Sequence, residues 1–379
     1  MYFITKQDPN YIIKGSRDPL GFQVIWQNTA RQLIPNLSTV SNNIIDFQVM
    51  CLANYFKLEH RLEEQEYRLL FSRLEKLFGY VRFAKNHKLG FNGVDKIRKL
   101  YQNAKSELKL SDDVEILSNQ RAYGIWGKYN RPFQESGLIQ DEDMMDVVKQ
   151  KINSNSFSKN ILQRVLLTNN QKNFFIRMDD LEKLNHLIEK PTNKEKELFI
   201  VKLLRDKINN SLLKEFNNDP ELLKLNPYQT IQQIRSKSIN NDLIEILDKI
   251  SRTEQILCPL NRVFRHLQTK ASWTISEIEN DENIASVPKN IDDTGLDEKL
   301  KRLNYILKKD NLEMVNGIVN QNKEVTELRK SAAWMEFNEN RLEVNLNDGG
   351  FPLHTINVNT DYDNSYFLDS YSNLYAQLN

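Results

Sequence analysis

Apolar residues recur at helical spacing along most of the chain. Between residues 22 and 33, the side chains that share one helical face are Phe22, Ile25, Trp26, Ala30 and Leu33. Similar faces follow in 44–56 and 67–78. The 379 residues include only 12 Gly and 10 Pro, too few for the tight turns of a sandwich, barrel or doubly wound sheet. The sequence therefore predicts a mainly α, multi-helix fold.

The pattern changes after residue 340. Leu342, Val344 and Leu346 alternate with polar residues, and this period of two is typical of a β-strand. The turn-forming run 347–350 follows, and a second strand is predicted through Leu353, Thr355, Ile356 and Val358. The sequence therefore predicts a small C-terminal β-hairpin, with strand confined largely to 341–360.

Polar, turn-forming segments predict the domain organisation. The run 153–160 carries one large apolar residue and marks a boundary. The predicted parts are an N-terminal helical domain at 1–152, a second helical domain at 153–279, a linker at 280–296, and a C-terminal part at 297–379 with a long helix, the hairpin and an aromatic, acidic tail. Segment 111–152 has the helix–turn–helix order of a winged-helix-like unit, which is also the order of any helical hairpin.

Charge is distributed unevenly although the formal net charge is only +1. Between Arg68 and Arg131 there are 14 Lys and Arg against 6 Asp and Glu, and aromatic residues are interspersed. Cations neutralise phosphates and aromatic rings stack on bases. The candidate nucleic-acid-binding residues are Arg82, Lys85, Lys88, Lys96, Arg98, Lys99, Arg121, Lys128 and Arg131. The alternatives are an ordinary solvated helical surface and contact with an acidic protein partner.

Aromatic residues and an arginine supply candidate partner contacts. Trp26 and Arg31 belong to residue types that dominate interface hot spots, although a core position is the favoured interpretation for Trp26. The tail after residue 360 has no Lys or Arg, and its candidate partner-binding residues are Tyr366, Phe367 and Tyr371. Such a tail is either docked on its own chain or an interaction segment.

Motifs of catalysis and cofactor binding do not occur in the sequence. The two cysteines and five histidines have no metal-ligand spacing, and phosphate loops, Gly-x-Gly-x-x-Gly and Gly-x-Ser-x-Gly are missing. The acids Asp141, Glu142, Asp143 and Asp146 complement a helix N-terminus more simply than they bind a cation. We therefore predict no catalytic residue, no metal and no cofactor. With no apolar run long enough for a span, we expect a cytoplasmic protein without membrane contact.

Two segments resemble a known group of proteins. They are Ser16-Arg-Asp-Pro-Leu-Gly-Phe-Gln-Val-Ile-Trp26, continued by Arg31 and 35–40, and Tyr123-Gly-Ile-Trp-Gly-Lys-Tyr129, which leads into 136–139. Together they resemble helical accessory proteins encoded beside helicases and nucleases in bacterial anti-phage defence gene clusters. The resemblance implies an accessory or sensing subunit whose partners are other subunits of a defence complex, such as a helicase or a nuclease.

Three functions follow as hypotheses. The first is a non-enzymatic subunit of such a complex, acting through protein contacts and through DNA. The second is a free-standing DNA-binding protein that uses 68–139. The third is a nuclease or other enzyme whose site is assembled from distant residues.

Overall fold

A computed structural model describes residues 17–111, 114–167, 175–289, 291–353 and 360–379. The structure is 64% helical with two small sheets, so the predicted mainly α class is confirmed. Its α-helices are α1 (Phe22–Leu33), α2 (Ile44–Glu59), α3 (Glu64–Lys85), α4 (Val94–Asn103), α5 (Gln120–Tyr123), α6 (Ile125–Glu135), α7 (Glu142–Asn153), α8 (Ser156–Leu167), α9 (Asn193–Leu203), α10 (Ser211–Asn218), α11 (Pro227–Lys237), α12 (Asn241–Leu267), α13 (Ile275–Glu279), α14 (Glu282–Ala285), α15 (Glu298–Leu307), α16 (Asn311–Leu328) and α17 (Leu368–Leu378). Short 3-10 helices cover Leu138–Gln140, Met178–Asp180, Glu182–Leu187 and Pro220–Lys224.

Many of these helices begin at a polar side chain that accepts a hydrogen bond from the first turn. Asn43 accepts from the Ile45 N–H at the start of α2, and Asp310 accepts from the Glu313 N–H at the start of α16. Such caps satisfy backbone donors that have no partner within the helix. The cap at Asp310 also divides the predicted long helix after 297 into α15 and α16.

The strands are short and form two antiparallel sheets. They are β1 (Glu107–Lys109), β2 (Phe175–Arg177), β3 (Ser272–Thr274), β4 (Met335–Asn338) and β5 (Arg341–Val344). β1 pairs with β2, and the second sheet has the order β3-β5-β4. Leu342 on β5 lies opposite Trp273 on one side and Phe337 on the other.

The C-terminal hairpin differs from the prediction in its second strand. β5 confirms the strand predicted from Leu342, but its hairpin partner is β4, which precedes it in the chain. The second strand predicted at 353–358 lies almost entirely outside the described residues. Strand is not confined to 341–360, because β1 to β4 precede that range.

The chain divides into two compact units. Unit 1 contains residues 1–33 and 224–366, and unit 2 contains residues 34–223 and 367–379. Of the segment 153–160 predicted as a domain boundary, only 154–155 lie between α7 and α8, and the whole segment lies within unit 2.

Unit 1 is organised around α12, which packs against α1, α11, α15 and α16. The turn Asp18–Gly21 precedes α1 and is held by side chains of α16. Gln321 and Asn322 donate amide N–H groups to the carbonyls of Leu20 and Pro19, at 2.9 Å each. Gly21 has φ 71°, and a Cβ there would lie 2.9 Å from Val325. This part of the first resemblance segment is therefore a clamped turn at the surface of α16.

Unit 2 is organised around α2 and α3, which are buried along much of their length. Against α2 pack α6, α7 and α17, although α17 lies more than 300 residues further along the chain. Gln377 on α17 accepts a hydrogen bond from the Ile44 N–H at 2.9 Å and donates one to the Asn42 carbonyl at 2.8 Å. The C-terminal helix thereby completes the start of α2.

Candidate nucleic-acid interface

Helix α3 buries four charged side chains. Arg73, Glu75, Lys76 and Arg82 are each at most 6% exposed. Arg82 forms an ion pair with Asp46 on α2, which is buried as well. Arg82 is predicted from the sequence as an exposed phosphate-binding residue, and this prediction is wrong: the side chain is buried, with its charge neutralised by the Asp46 carboxylate.

The other cations of the predicted set reach the surface. Lys85, Lys88, Lys96, Arg98, Lys99, Arg121 and Arg131 are exposed, and Lys128 is half-buried. Three of them form surface ion pairs: Lys85 with Glu189 (3.5 Å), Arg98 with Asp95 (2.9 Å) and Arg131 with Glu135 (2.8 Å). Surface ion pairs of this kind contribute only about 0–1 kcal/mol to folding stability, so a phosphate can replace the carboxylate as the partner of the cation. Among the described residues, Lys88, Lys96, Lys99 and Arg121 have no ion-pair partner.

Ring contacts and one hydrogen bond bring most of these cations together. The His87 ring, beyond the end of α3, lies 5.8 Å from the Tyr101 ring on α4, and both contact Phe83. Lys128 on α6 donates to Asn92 at 2.8 Å, which places α6 beside the start of α4. We call Lys85, Lys88, Lys96, Arg98, Lys99, Lys128 and Arg131 the basic surface. It combines phosphate-neutralising cations with partly exposed rings.

The helix–turn–helix order at 111–152 is present as α6, a turn at Gly137, and α7. A recognition helix presents its N-terminal residues to the bases, and the exposed side chains there are Glu142, Asp143 and Asp146. Asp141 caps the helix by accepting from the Met144 N–H at 2.8 Å. The described part of 111–152 also contains no strand that could form a wing. The N-terminal end of α7 is therefore acidic, and it would repel DNA phosphates instead of binding them.

A cavity of about 290 Å³ lies beside α3 in unit 2. Its lining includes Phe71 and Glu75 from α3, Gln120 and Arg121 from α5, and Trp126 from α6. Glu75 accepts hydrogen bonds from the Gln120 side-chain amide (2.8 Å) and from the Ile125 N–H (2.6 Å). Burial raises the pKa of Glu75, and these two hydrogen bonds oppose that rise.

The second resemblance segment contributes Trp126 to this cavity and lies against Glu75. A Cβ at Gly124 would lie 2.3 Å from the Gln120 carbonyl and 2.5 Å from a Glu75 oxygen, and a Cβ at Gly127 would lie 2.1 Å from the Ala122 carbonyl. Both positions therefore need glycine, so that α5 and α6 can join tightly over the carboxylate. Tyr129, at the end of the segment, accepts a hydrogen bond from the Asn43 N–H at 3.2 Å.

The predicted partner-binding residues make internal contacts. Trp26 is 8% exposed and packs edge-on against Tyr366, with 6.0 Å between ring centroids. Tyr366, Phe367 and Tyr371 are each at most 1% exposed. The half-buried Arg31 donates to side-chain oxygens of Asn28 and Gln27 on its own helix. The aromatic side chains of the tail are therefore docked on the protein itself, because they are too apolar to stay in water.

The tail contributes to a buried polar cluster in unit 1 that has donor groups suited to a metal. The side chains of Glu254, Cys258 and Asp363 offer ligand atoms within 4.8 Å of one another. However, Glu254 already accepts from the N–H groups of Asp363 and Asn364, from the Asn364 amide and from the Tyr366 hydroxyl.

The other two side chains of this cluster are also engaged. Asp363 forms an ion pair with Arg262 at 2.5 Å and accepts from the Asn261 amide at 2.7 Å. Cys258 donates to the Asp361 carbonyl at 3.1 Å, and burial raises the pKa of its thiol, which disfavours the thiolate that a metal needs. The arrangement fits a lock that holds the tail on α12 better than a metal site.

Comparison with protein families, with curated proteins and with solved structures found no match for this chain. Within the described residues, no helix combines the length and the apolar character needed to cross a membrane.

Proposed function

We propose that this chain is a non-catalytic subunit of a bacterial anti-phage defence complex in the cytoplasm, and that it contacts DNA phosphates through the basic surface of unit 2. The observation that carries the DNA contact is that exposed cations at the end of α3 and on α4 accompany the paired His87 and Tyr101 rings, while Lys128 of α6 bonds to Asn92 just before α4. Electrostatic contacts of this kind do not depend on the base sequence of the DNA. Placement in a defence complex is supported by the resemblance of 16–40 and 123–139.

The lysines of the basic surface that have no ion-pair partner test the DNA contact. We expect the triple variant Lys88→Ala, Lys96→Ala, Lys99→Ala to weaken binding to all duplex sequences about equally. Each lost phosphate contact should also reduce the log–log salt slope by about one unit. Fluorescence anisotropy at several salt concentrations measures both quantities.

The matched control for this variant removes the same charge elsewhere on unit 2. Lys149, Lys159 and Lys207 are exposed lysines outside the basic surface, and their triple alanine variant should keep the affinity and the slope. Equal losses in the two triple variants would show that only net charge matters, and unchanged binding in both would exclude the proposed contact.

A groove in unit 1 is the candidate protein contact. It has a volume of about 280 Å³ and lies between α1, α15 and α16. Two apolar side chains on its rim are solvent-exposed, Val24 by 55% and Leu328 by 86%. Neighbouring exposed apolar side chains of this kind mark interaction surfaces.

We expect Leu328→Glu to abolish co-purification with the products of adjacent genes, because a carboxylate at the groove opposes apolar contact. Ile239→Glu is the matched control, since Ile239 is 97% exposed but lies outside the groove. Co-expression followed by size-exclusion chromatography measures the complex. A chain recovered alone that still binds DNA would favour the free-standing DNA-binding protein, and metal-dependent cleavage by the isolated chain would favour the enzyme.

A further inference from the structure

The cavity in unit 2 has a carboxylate with unused hydrogen-bonding capacity. Glu75 is 4% exposed, and each of its oxygens accepts one hydrogen bond, from Gln120 or from Ile125. A carboxylate oxygen can accept two. A ligand that brings two adjacent N–H donors would therefore fill both remaining positions and compensate for the burial of the charge.

The walls of the cavity are aromatic. The Trp126 and Phe71 rings lie 5.3 Å apart between centroids and meet edge to face, and Trp126 is half-buried rather than enclosed. Tyr67, one turn before Phe71 on α3, makes a second edge-to-face contact with the indole at 5.2 Å. Trp126 lines the cavity, so the accessible part of its indole can contact a planar group there, as in proteins that stack bases on aromatic side chains.

The lining of the cavity contains two arginines and two acids, and both arginines are exposed. Arg68 and Arg121 are exposed residues of its lining, and the acids there are the buried Glu75 and the exposed Glu115. Arg121 has no ion-pair partner among the described residues, and Arg68 pairs only with the exposed Glu64 at 3.0 Å. Guanidinium groups bind phosphate in a bidentate fashion. They also repel a cationic ligand such as the arginine side chain of a partner protein, which could otherwise satisfy Glu75.

We propose that this cavity binds an unpaired guanine nucleotide, with the base against Trp126 and Glu75 and the phosphate at Arg121 and Arg68. Guanine presents an imino N–H and an amino N–H side by side, which match the two free positions of the Glu75 carboxylate. Adenine and cytosine place an acceptor nitrogen beside their amino group, and thymine places a carbonyl on each side of its imino group, so each would set an acceptor against the carboxylate. The volume of about 290 Å³ suits a single base, at the lower limit of ligand pockets.

The nucleotide can be free or part of a strand, and the second form rests on the proposed function. Titration with GMP, AMP, CMP and TMP tests the base, with Trp126 fluorescence and calorimetry as readouts. We expect GMP to bind about tenfold to a hundredfold more tightly than the others, the discrimination expected of one bidentate base contact. In Glu75→Gln this preference should disappear, and Glu142→Gln, an exposed change elsewhere in unit 2, should keep it.

Because Glu75 is buried, its variant could lose the fold, so Arg121→Ala and Trp126→Ala are tested as well. Both change side chains that reach the surface and should weaken GMP binding at least tenfold, whereas the exposed Arg177→Ala should not change it. Equal binding of all four nucleotides, no binding of GMP at millimolar concentration, or displacement of GMP by arginine amide would overturn the proposal.

Oligothymidines with and without one central dG distinguish the two sources of the nucleotide. Tighter binding of the dG-containing strand that is lost in Glu75→Gln supports a site that binds guanine within a strand. GMP binding without strand binding supports a free nucleotide and would contradict the proposed DNA contact. DNA binding that depends on Lys88, Lys96 and Lys99, with no preference for guanine in either assay, would overturn this inference and leave the proposed function in place.

Discussion

Replacing Arg82 with Ala should destabilise unit 2 by about 3–5 kcal/mol, because it leaves the Asp46 carboxylate buried without its cation. Asp46 also raises the pKa of the Tyr129 hydroxyl, after the larger effect of burial, so the unpaired charge would disturb a second buried group. Hydrogen exchange of the α2 and α3 amides measures the loss locally, without requiring the whole chain to unfold in one step.

The exposed Arg98 is the matched control for Arg82. It forms its ion pair with Asp95 at the surface, so Arg98→Ala should change stability by no more than about 1 kcal/mol. The double variant Asp46→Ala, Arg82→Ala should be less destabilised than the sum of its single variants, because neither charge is then left alone. A loss below 1 kcal/mol in Arg82→Ala would contradict the burial of this pair.

Unit 1 should become less stable as the pH rises from 4.5 through about 7. Burial raises the pKa of Glu254 to about 7 from its ordinary value of 4.5, although hydrogen bonds from Tyr366 and Asn364 lower it in part. The folded chain then holds this proton more tightly than the unfolded chain, so the contribution favours folding below pH 4.5 and is lost above pH 7. At 1.36 kcal/mol per pKa unit, the loss is about 3 kcal/mol.

Glu254→Gln isolates this contribution, because the variant has no titrating group at the site. Its unfolding free energy should vary less between pH 4.5 and 8 than that of the unaltered chain, whatever its absolute value. Trp26, Trp273 and Trp334 lie in unit 1, so denaturation followed by fluorescence in a Trp126→Phe background reports on that unit. Glu245→Gln, an exposed change on the same helix, should keep the full pH dependence. Parallel pH profiles for Glu254→Gln and the unaltered chain would refute the assignment.

The sequence predicted the helical class because helical spacing and the scarcity of Gly and Pro are properties of the whole chain. Strands of three or four residues, such as β1 and β3, are too short to show a period of two. β4 was missed for a related reason, since its residues continued the predicted helix after 297. The strands that pair with β1 and β3 lie more than 60 residues further along the chain, and local periodicity carries no information about such partners.

The candidate site was predicted in part. Exposed cations on α4 and α6 follow from sequence, because a helix with one apolar face must turn its lysines to water. The burial of Arg82 could not be predicted from the local sequence, because it depends on Asp46, 36 residues earlier. Glu75 was missed for the same reason: its hydrogen-bond donors come from Gln120 and Ile125. The available signal was the pair Gly124 and Gly127 inside a helical pattern, which indicates a close backbone approach.

The dependence of α2 on α17 has a consequence for biosynthesis. Residues 34–223 leave the ribosome before 367–379 are translated, and at roughly 5–20 residues per second the intervening segment takes roughly 10–30 s to make. Throughout this interval, the positions later covered by Tyr371, Leu374 and Leu378 are open to solvent, and the Ile44 N–H lacks Gln377. The nascent chain therefore exposes an apolar surface to which chaperones can bind until α17 emerges and covers it.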